Sequence, residues 1–361
     1  MKHDRPETSP PPEPRQHLRS QPEAIHGGDA GADCLDFSTG VSPLPTPFAI
    51  VEAARHADIS RYPDPTAAPF RRIVARVLGA SPDEVVAGAG SVELIWAIAQ
   101  AFGGPGRRGL ILAPAFGEYE RALRASGAEV VTSLAEPPDF TWRIDDAHAR
   151  LRTTPVDIVF ICRPSNPCLT TVSAEAIADL ATTFPRALFV VDEAYLPMYI
   201  EAPGVDRANN IILLRSLTKV FALPGLRIGY AIGHPSVMAA IRSVLPPWNV
   251  SAPAQAAGAV AAQSLSTWAP DIAGEIARLR NKTRDGLLPL IGLPLREGGP
   301  FLLYRLPHAA ATARALHQRG VRIRHCASFG LPDCVRIGAR IEAEQAQLLA
   351  AWRAVNQESK P

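Results

Sequence analysis

The residues best suited to chemistry are gathered around one lysine. Lys219 closes the stretch Arg215-Ser-Leu-Thr-Lys219, immediately past an apolar run that reads as a strand, and Arg227 follows in Pro-Gly-Leu-Arg-Ile-Gly-Tyr. A lysine at the end of a buried strand is poorly solvated, which disfavours its charged form and frees the amine for Schiff-base chemistry with a carbonyl. Ser216, Thr218 and Arg227 add two hydroxyls and a fixed cation, a set suited to a phosphate dianion. The bland alternative is an exposed loop lysine. A serine nucleophile activated by Lys219 (Ser-x-x-Lys) would want Ser-Asp-Asn and Lys-Thr-Gly partners, and neither occurs.

Four other places carry potential chemistry. Asp192 ends the apolar run Leu188-Phe-Val-Val191 and is followed by Glu193-Ala-Tyr195. At the carboxyl end of a parallel strand it would point into the ligand crevice, where it could hold a pyridine nitrogen protonated; a helix N-cap is the equal alternative. Gly88-Ala-Gly90-Ser91-Val92-Glu93 reads as a strand-to-helix turn whose free amides suit an anion. It half-matches the dinucleotide fingerprint, which makes a dinucleotide-dependent oxidoreductase a remote competitor. Glu93 stands where the third Gly belongs, however, and no acid lies between Glu93 and Glu118. Asn166, in Arg163-Pro-Ser-Asn-Pro167, could donate to a phenolate oxygen or could simply occupy a turn. Arg324 and Arg336 alternate with apolar residues near the C-terminus, as do carboxylate- or phosphate-binding arginines and solvated ones alike.

The surrounding elements explain how such residues could meet. Strand-like runs at 84–87, 109–113, 156–162, 187–191 and 210–214 are apolar on both faces and are separated by helical stretches such as 92–102 and 174–183. That pattern predicts an α/β domain with a mainly parallel sheet. After about residue 250 it changes: helix over 277–288, strands over 301–306 and 321–326, and a closing amphipathic helix over 341–352, the mark of a smaller α+β domain. The expected organisation is a disordered lead-in over 1–24, an N-terminal arm over 25–45, a large domain over 46–250 and a small domain over 251–361.

Composition narrows the function classes. With 37 basic and 35 acidic residues among 361 the net charge is +2, giving no field that would advertise nucleic acid. No apolar run is long enough to span a bilayer, and the first residues lack a secretory apolar core, so a cytoplasmic protein is expected. Five cysteines, at 34, 162, 168, 326 and 334, are too few for a disulfide scaffold and lack metal-ligand spacing. Reduced, buried thiols and no metal are expected.

In their order along the chain, these pieces resemble the fold-type-I pyridoxal-phosphate (PLP) enzymes of the aspartate-aminotransferase fold. Within them they are similar to the branch that holds histidinol-phosphate aminotransferase and threonine-phosphate decarboxylase. The most specific match is Ser216-x-Thr-Lys219 with Pro224-Gly-Leu-Arg227-x-Gly. The resemblance implies that Lys219 carries PLP as a Schiff base and that Asp192 pairs with its pyridine nitrogen. It also implies that Asn166 and Tyr195 contact the phenolic oxygen and that Phe116 stacks on the ring. Gly90, Ser91, Val92, Ser216, Thr218 and Arg227 would hold the cofactor phosphate. Tyr62 would reach into the site of a partner subunit, implying a homodimer with shared active sites. Arg336 would bind a substrate carboxylate and Arg324 a substrate phosphate, and His26 and Asn166 would also bind the substrate. His26-Gly-Gly-Asp, Pro247-Trp248-Asn-Val and Ile323-Arg-His-Cys326 look more like the decarboxylase, which acts on L-threonine O-3-phosphate in cobalamin-precursor synthesis. The expected activity is therefore decarboxylation of a small phosphorylated amino acid, with a histidinol-phosphate-type aminotransferase as the alternative. Cys168-Leu169, where the family has Thr-Gly, and Ser42, where it has Asn, depart from the pattern beside the substrate.

Overall fold

The structure, a computed structural model, describes residues 15–18, 27–28, 31, 33–135, 140–142, 144–199 and 204–358. His26 and nearly all of the lead-in lie outside them. The strands, in chain order, are β1 (Leu35–Asp36), β2 (Val85–Gly88), β3 (Arg108–Ala113), β4 (Glu129–Leu134), β5 (Ile158–Cys162), β6 (Leu188–Asp192), β7 (Ile211–Ser216), β8 (Gly229–Ile232), β9 (Arg296–Gly298), β10 (Phe301–Arg305), β11 (Val321–Arg322), β12 (Arg324–His325) and β13 (Cys334–Gly338).

Seven of these form the central sheet, in the order β2-β8-β7-β6-β5-β3-β4. The pairs from β7 through β4 are parallel, and β8 alone runs antiparallel to its neighbours β2 and β7. β5 and β6 are buried at every position, as a sheet covered on both faces requires. Core side chains fill both faces: Val159, Ile161, Phe189 and Val191 point into one cluster, and Ile158, Phe160, Leu188 and Val190 into the other. The period-two alternation thus splits a continuous apolar run between two helical layers.

The order matters for function because β5, β6 and β7 are adjacent and in register, with Cys162 opposite Asp192 and Asp192 opposite Leu214. Their carboxyl ends therefore deliver Arg163–Asn166, Asp192–Tyr195 and Ser216–Lys219 to one edge. The pairing of Gly229 with both Gly88 and Ser216 brings the glycine turn to the same edge.

The C-terminal part is a four-stranded antiparallel sheet, β12-β13-β10-β9, backed by the long helix Leu265–Ile291 and the closing helix Glu342–Glu358. The helix Ala252–Gln263, whose stretch lies past residue 250, packs against Phe48–Arg55 and Ala68–Val77 in the larger part of the molecule. The single strand expected over 321–326 is two. Val321–Arg322 pairs in parallel with Leu35–Asp36, whereas Arg324–His325 pairs with β13. The break lets one short segment tie the N-terminal arm to the small sheet and still aim Arg324 at Arg336. Sequence reasoning passed over β4 and β8, the first half-exposed and the second only four residues long.

All five cysteines are free thiols, but only Cys162, Cys168, Cys326 and Cys334 are buried; Cys34, expected to be buried, is half-exposed. Among the described residues no helix is long and apolar enough to cross a membrane.

Candidate active site

Lys219 lies in a single helical turn, Leu217–Val220, that begins directly after β7. The Ser42 amide donates to the Lys219 carbonyl at 2.8 Å, so the N-terminal arm is fastened to the lysine's own backbone. Burial, reinforced by the positive charges of Arg227 and Arg336 and opposed by Asp192 and Asp36, lowers the Lys219 amine to about 8. A large neutral fraction is therefore present in ordinary buffers, as nucleophilic amine chemistry needs.

Next to it, the buried Ser216 and Thr218 hydroxyls lie 2.7 Å apart. Only one of them can donate to the other, so one O–H remains to point at something else. Gly90 is the N-cap of the helix Ser91–Phe102 and has φ +82°. A Cβ at Gly90 would stand 2.6 Å from Arg227 Nη2, so glycine here lets the guanidinium close over the turn. Ser91 and Val92 open that helix, where the first N–H groups have no intrahelical acceptor. A spare hydroxyl, helix-terminal amides and a guanidinium thus converge around a bare glycine.

The second half of the site is carboxylate and amide. Asp192 is buried and is not a helix cap: Oδ1 accepts from the Ala194 amide at 3.0 Å and Oδ2 from the Tyr119 hydroxyl at 2.8 Å. Burial raises the Asp192 carboxyl, with the Tyr119 hydroxyl, the Ala194 amide and Lys219 pulling the other way. Asn166 is also buried, and its Oδ1 accepts from Arg336 Nη1. Because a guanidinium only donates, the amide oxygen must face it, and the Nδ2 hydrogens are left for another acceptor. Arg336 also donates through Nη2 to the Ser38 carbonyl at 2.7 Å and sits 4.0 Å over the Phe301 ring, while its buried Nε has no partner among the described residues. Tyr195 packs edge-on to Phe301 at 5.2 Å. Gly40 fills the gap between those two rings, where a Cβ would stand 2.7 Å from Tyr195 Cε1. Phe116, three positions beyond the end of β3, meets Tyr119 edge-on at 5.8 Å.

Beside Arg336 opens a cavity of about 210 Å³ lined by Gly27, Ser38, Arg322, Arg324, His325 and Ser328, among others. Arg324 faces Arg336 across the β12–β13 pair and donates to Ser328 Oγ at 2.7 Å. Burial and the Arg336 charge lower the Arg324 guanidinium. Arg322, on the neighbouring two-residue strand, joins this wall although sequence reasoning did not single it out.

Sequence reasoning also missed three groups behind these residues. Tyr119 is one. The second is Glu193, fully buried with Arg163 Nη1 at 2.9 Å on one oxygen and Arg215 Nη2 at 2.5 Å from the other. Each member neighbours a site residue, so the trio binds the carboxyl ends of β5, β6 and β7 together. The third is Glu93, whose Oε2 accepts from the Ala89 amide and from Asn249 Nδ2, both at 2.7 Å, bracing the glycine turn. Its departure from the dinucleotide fingerprint was the available signal. Tyr62 is not brought to the site of its own chain: it lies on the surface, 82 % exposed, with its ring 4.8 Å from Trp248. His26 lies outside the described residues.

The donor set fits pyridoxal phosphate: a depressed lysine for the aldehyde, a buried carboxylate for the ring nitrogen, and a guanidinium–hydroxyl–amide cup for the phosphate. Known proteins agree. Residues 32–351 match the family model for aminotransferase class I and II. A histidinol-phosphate aminotransferase of Jannaschia sp. is 32% identical over 360 residues, covering 94% of this chain and 98% of its own; one of Rhodospirillum centenum is 33% identical over 328 residues, covering 85% and 87%. Among solved structures, L-threonine-O-3-phosphate decarboxylase of Porphyromonas gingivalis superposes with a TM-score of 0.77 at 25% identity, covering 90% of this chain and 99% of that one. The histidinol-phosphate aminotransferase of Clostridium acetobutylicum reaches 0.80 at 24%, with the same coverage. With a matched region that takes in Lys219, Asp192, Arg227 and Arg336, the chain belongs to the class I and II aminotransferases, enzymes of the aspartate-aminotransferase fold whose cofactor is pyridoxal phosphate.

Proposed function

We propose that this enzyme is an aminotransferase whose amino donor carries a phosphate, of the histidinol-phosphate kind, and whose acceptor is a 2-oxo acid. The observation that carries the reading is the arginine-walled cavity beside Arg336, sized and charged for a phosphate ester. Relatives named histidinol-phosphate aminotransferase at 32–33% identity over most of their length support it over decarboxylation, the expectation drawn from sequence. The decarboxylase reading stays second, favoured by the likeness to the P. gingivalis structure.

When bound, pyridoxal phosphate supplies an aldehyde for the amine and a ring that withdraws electrons from bonds at the amine-bearing carbon. The chain's residues do the rest. Arg336 would bind the carboxylate of the 2-oxo acid, and Arg322, Arg324 and Ser328 the phosphate of the donor. Asp192 holds a proton at the ring nitrogen, and the Asn166 amide and Tyr195 hydroxyl hold the phenolic oxygen. Lys219 Nζ, part of it neutral because of its setting, would take a proton from the amine-bearing carbon of the substrate and return it, across the nitrogen, to the carbon that the cofactor's aldehyde supplies. Gly90, Ser91, Val92, Ser216, Thr218 and Arg227 anchor the cofactor phosphate, and Phe116 covers the ring. Tyr62 completes the site from a second copy of the chain, so the working unit is a homodimer.

The test is a pair of end-product assays on the PLP-loaded protein. Histidinol phosphate plus a 2-oxo acid should yield the new amino acid. Release of CO2 from O-phospho-L-threonine without any oxo acid, and no amino transfer, would replace this reading with the decarboxylase.

A further inference from the structure

We propose that Tyr119 is a positioning residue for the cofactor's ring nitrogen, acting through Asp192. The inference rests on the reading that Asp192 faces that nitrogen.

Tyr119 is completely buried, in the first turns of the helix Glu118–Ser126, and its hydroxyl reaches Asp192 Oδ2 at 2.8 Å across the sheet end. Its ring is clamped: parallel to Phe160 at 4.9 Å and 10°, and edge-on to Phe116 at 5.8 Å. Burial and the Asp192 charge push the phenol far above its ordinary range, so it stays protonated and is the donor of this bond. The Ala194 amide occupies the other carboxylate oxygen at 3.0 Å.

Two fixed donors, one on each oxygen, do two things for a carboxylate that burial would otherwise neutralise. They favour its anion, and they lock its plane. Both are needed before the carboxylate can face a protonated ring nitrogen, because a neutral or rotated acid would leave a buried cation unpaired. Tyr119 also touches Phe116, so the same ring that orients the carboxylate supports the side chain that covers the cofactor face. One aromatic residue thereby couples the edge and the face of the ring site. A tyrosine placed only to fill the core would need neither the hydroxyl contact nor the contact with Phe116.

The variant that isolates the hydroxyl is Tyr119→Phe, which keeps both ring contacts. Cofactor-free protein is titrated with pyridoxal phosphate and with its deaza analogue, in which C–H replaces the ring nitrogen. For Tyr119→Phe, pyridoxal phosphate should bind about tenfold more weakly, the effect of one hydrogen bond to a charged group, while the analogue binds as in wild type. Equal losses for both ligands, or no loss for either, would overturn the proposal, since a merely structural role cannot tell them apart. Asp192→Asn separates the two readings. If it too binds both ligands as wild type does, the placement of Asp192 is wrong; if it discriminates while Tyr119→Phe does not, only the role of Tyr119 falls. Should Tyr119→Phe not fold, Tyr119→His, which retains a ring donor, is titrated instead. A wild-type preference for pyridoxal phosphate supports the proposal, and loss of that preference overturns it.

Discussion

Lys219 shows how a side chain acquires reactivity from its surroundings rather than its type. An ordinary lysine amine titrates near 10.5; here burial and the cations Arg227 and Arg336 bring it to about 8. Only the neutral amine attacks an aldehyde, so its fraction sets the rate. Covalent coupling of cofactor-free protein to pyridoxal phosphate should therefore accelerate as pH rises and level off above a midpoint near 8. Stopped-flow absorbance would measure this, and a midpoint near the ordinary lysine value would show that the amine is not desolvated. Lys219→Ala should retain no cofactor after borohydride treatment. Cys168, two positions after Asn166, has the opposite fate: it is buried and burial pushes it up, which leaves it protonated and unreactive.

Between residue and molecule, the carboxyl ends of three adjacent strands form the decisive unit. β5, β6 and β7 end in Asn166-, Asp192- and Lys219-bearing turns, and these can hold a common geometry only if the strand ends do not slide or splay. Parallel strands pair slightly less stably per residue. The Arg163–Glu193–Arg215 trio supplies a cross-tie, with Glu193 and Arg163 almost wholly removed from water. Glu193→Gln leaves two cations facing a neutral amide and should lower unfolding stability by about 3 kcal/mol, because removing one partner strands a buried charge. Urea unfolding of the cofactor-free protein would measure it. A change below about 1 kcal/mol would mean that the strand ends are held by backbone pairing alone.

At the scale of the molecule, the site lies where the two sheets and the N-terminal arm meet. Arg336 comes from the small sheet, Asn166 from the large one, and Ser38 from the arm, and one guanidinium ties all three. Tyr62 and Trp248, whose rings meet, are exposed, as is Ile59. A second copy of the chain covering that surface would bury it and place Tyr62 in its partner's site. Lys219→Ala and Tyr62→Ala proteins, each inactive, should then regain activity when mixed and refolded together. Half of the random dimers would be mixed and each would carry one intact site, so about a quarter of the wild-type activity is expected. No recovery would argue that the sites are not shared.

Read alone, the sequence determined the α/β character, the mainly parallel sheet, and the order of the glycine turn, Asn166, Asp192, Lys219 and Arg227. These are local signals: apolar runs of strand length, and short motifs at strand ends whose spacing survives any folding. Tertiary structure decided what each motif touches. Asn166 and Arg336 are 170 positions apart and Ser38 and Arg336 are 298 apart, so no window of sequence contains either contact. Tyr119 reads as one more apolar position of an amphipathic helix until the fold sets its hydroxyl on Asp192. Glu193 looks like a surface charge next to a catalytic-looking aspartate until two arginines from other strands close around it. The strand break at residue 323 had no local mark either, because it arises from competition between β1 and β13 for the same short segment. Local chemistry is written in neighbouring residues. The pairing of charges, rings and donors across the chain is settled by which strand ends lie side by side, and only packing makes that choice.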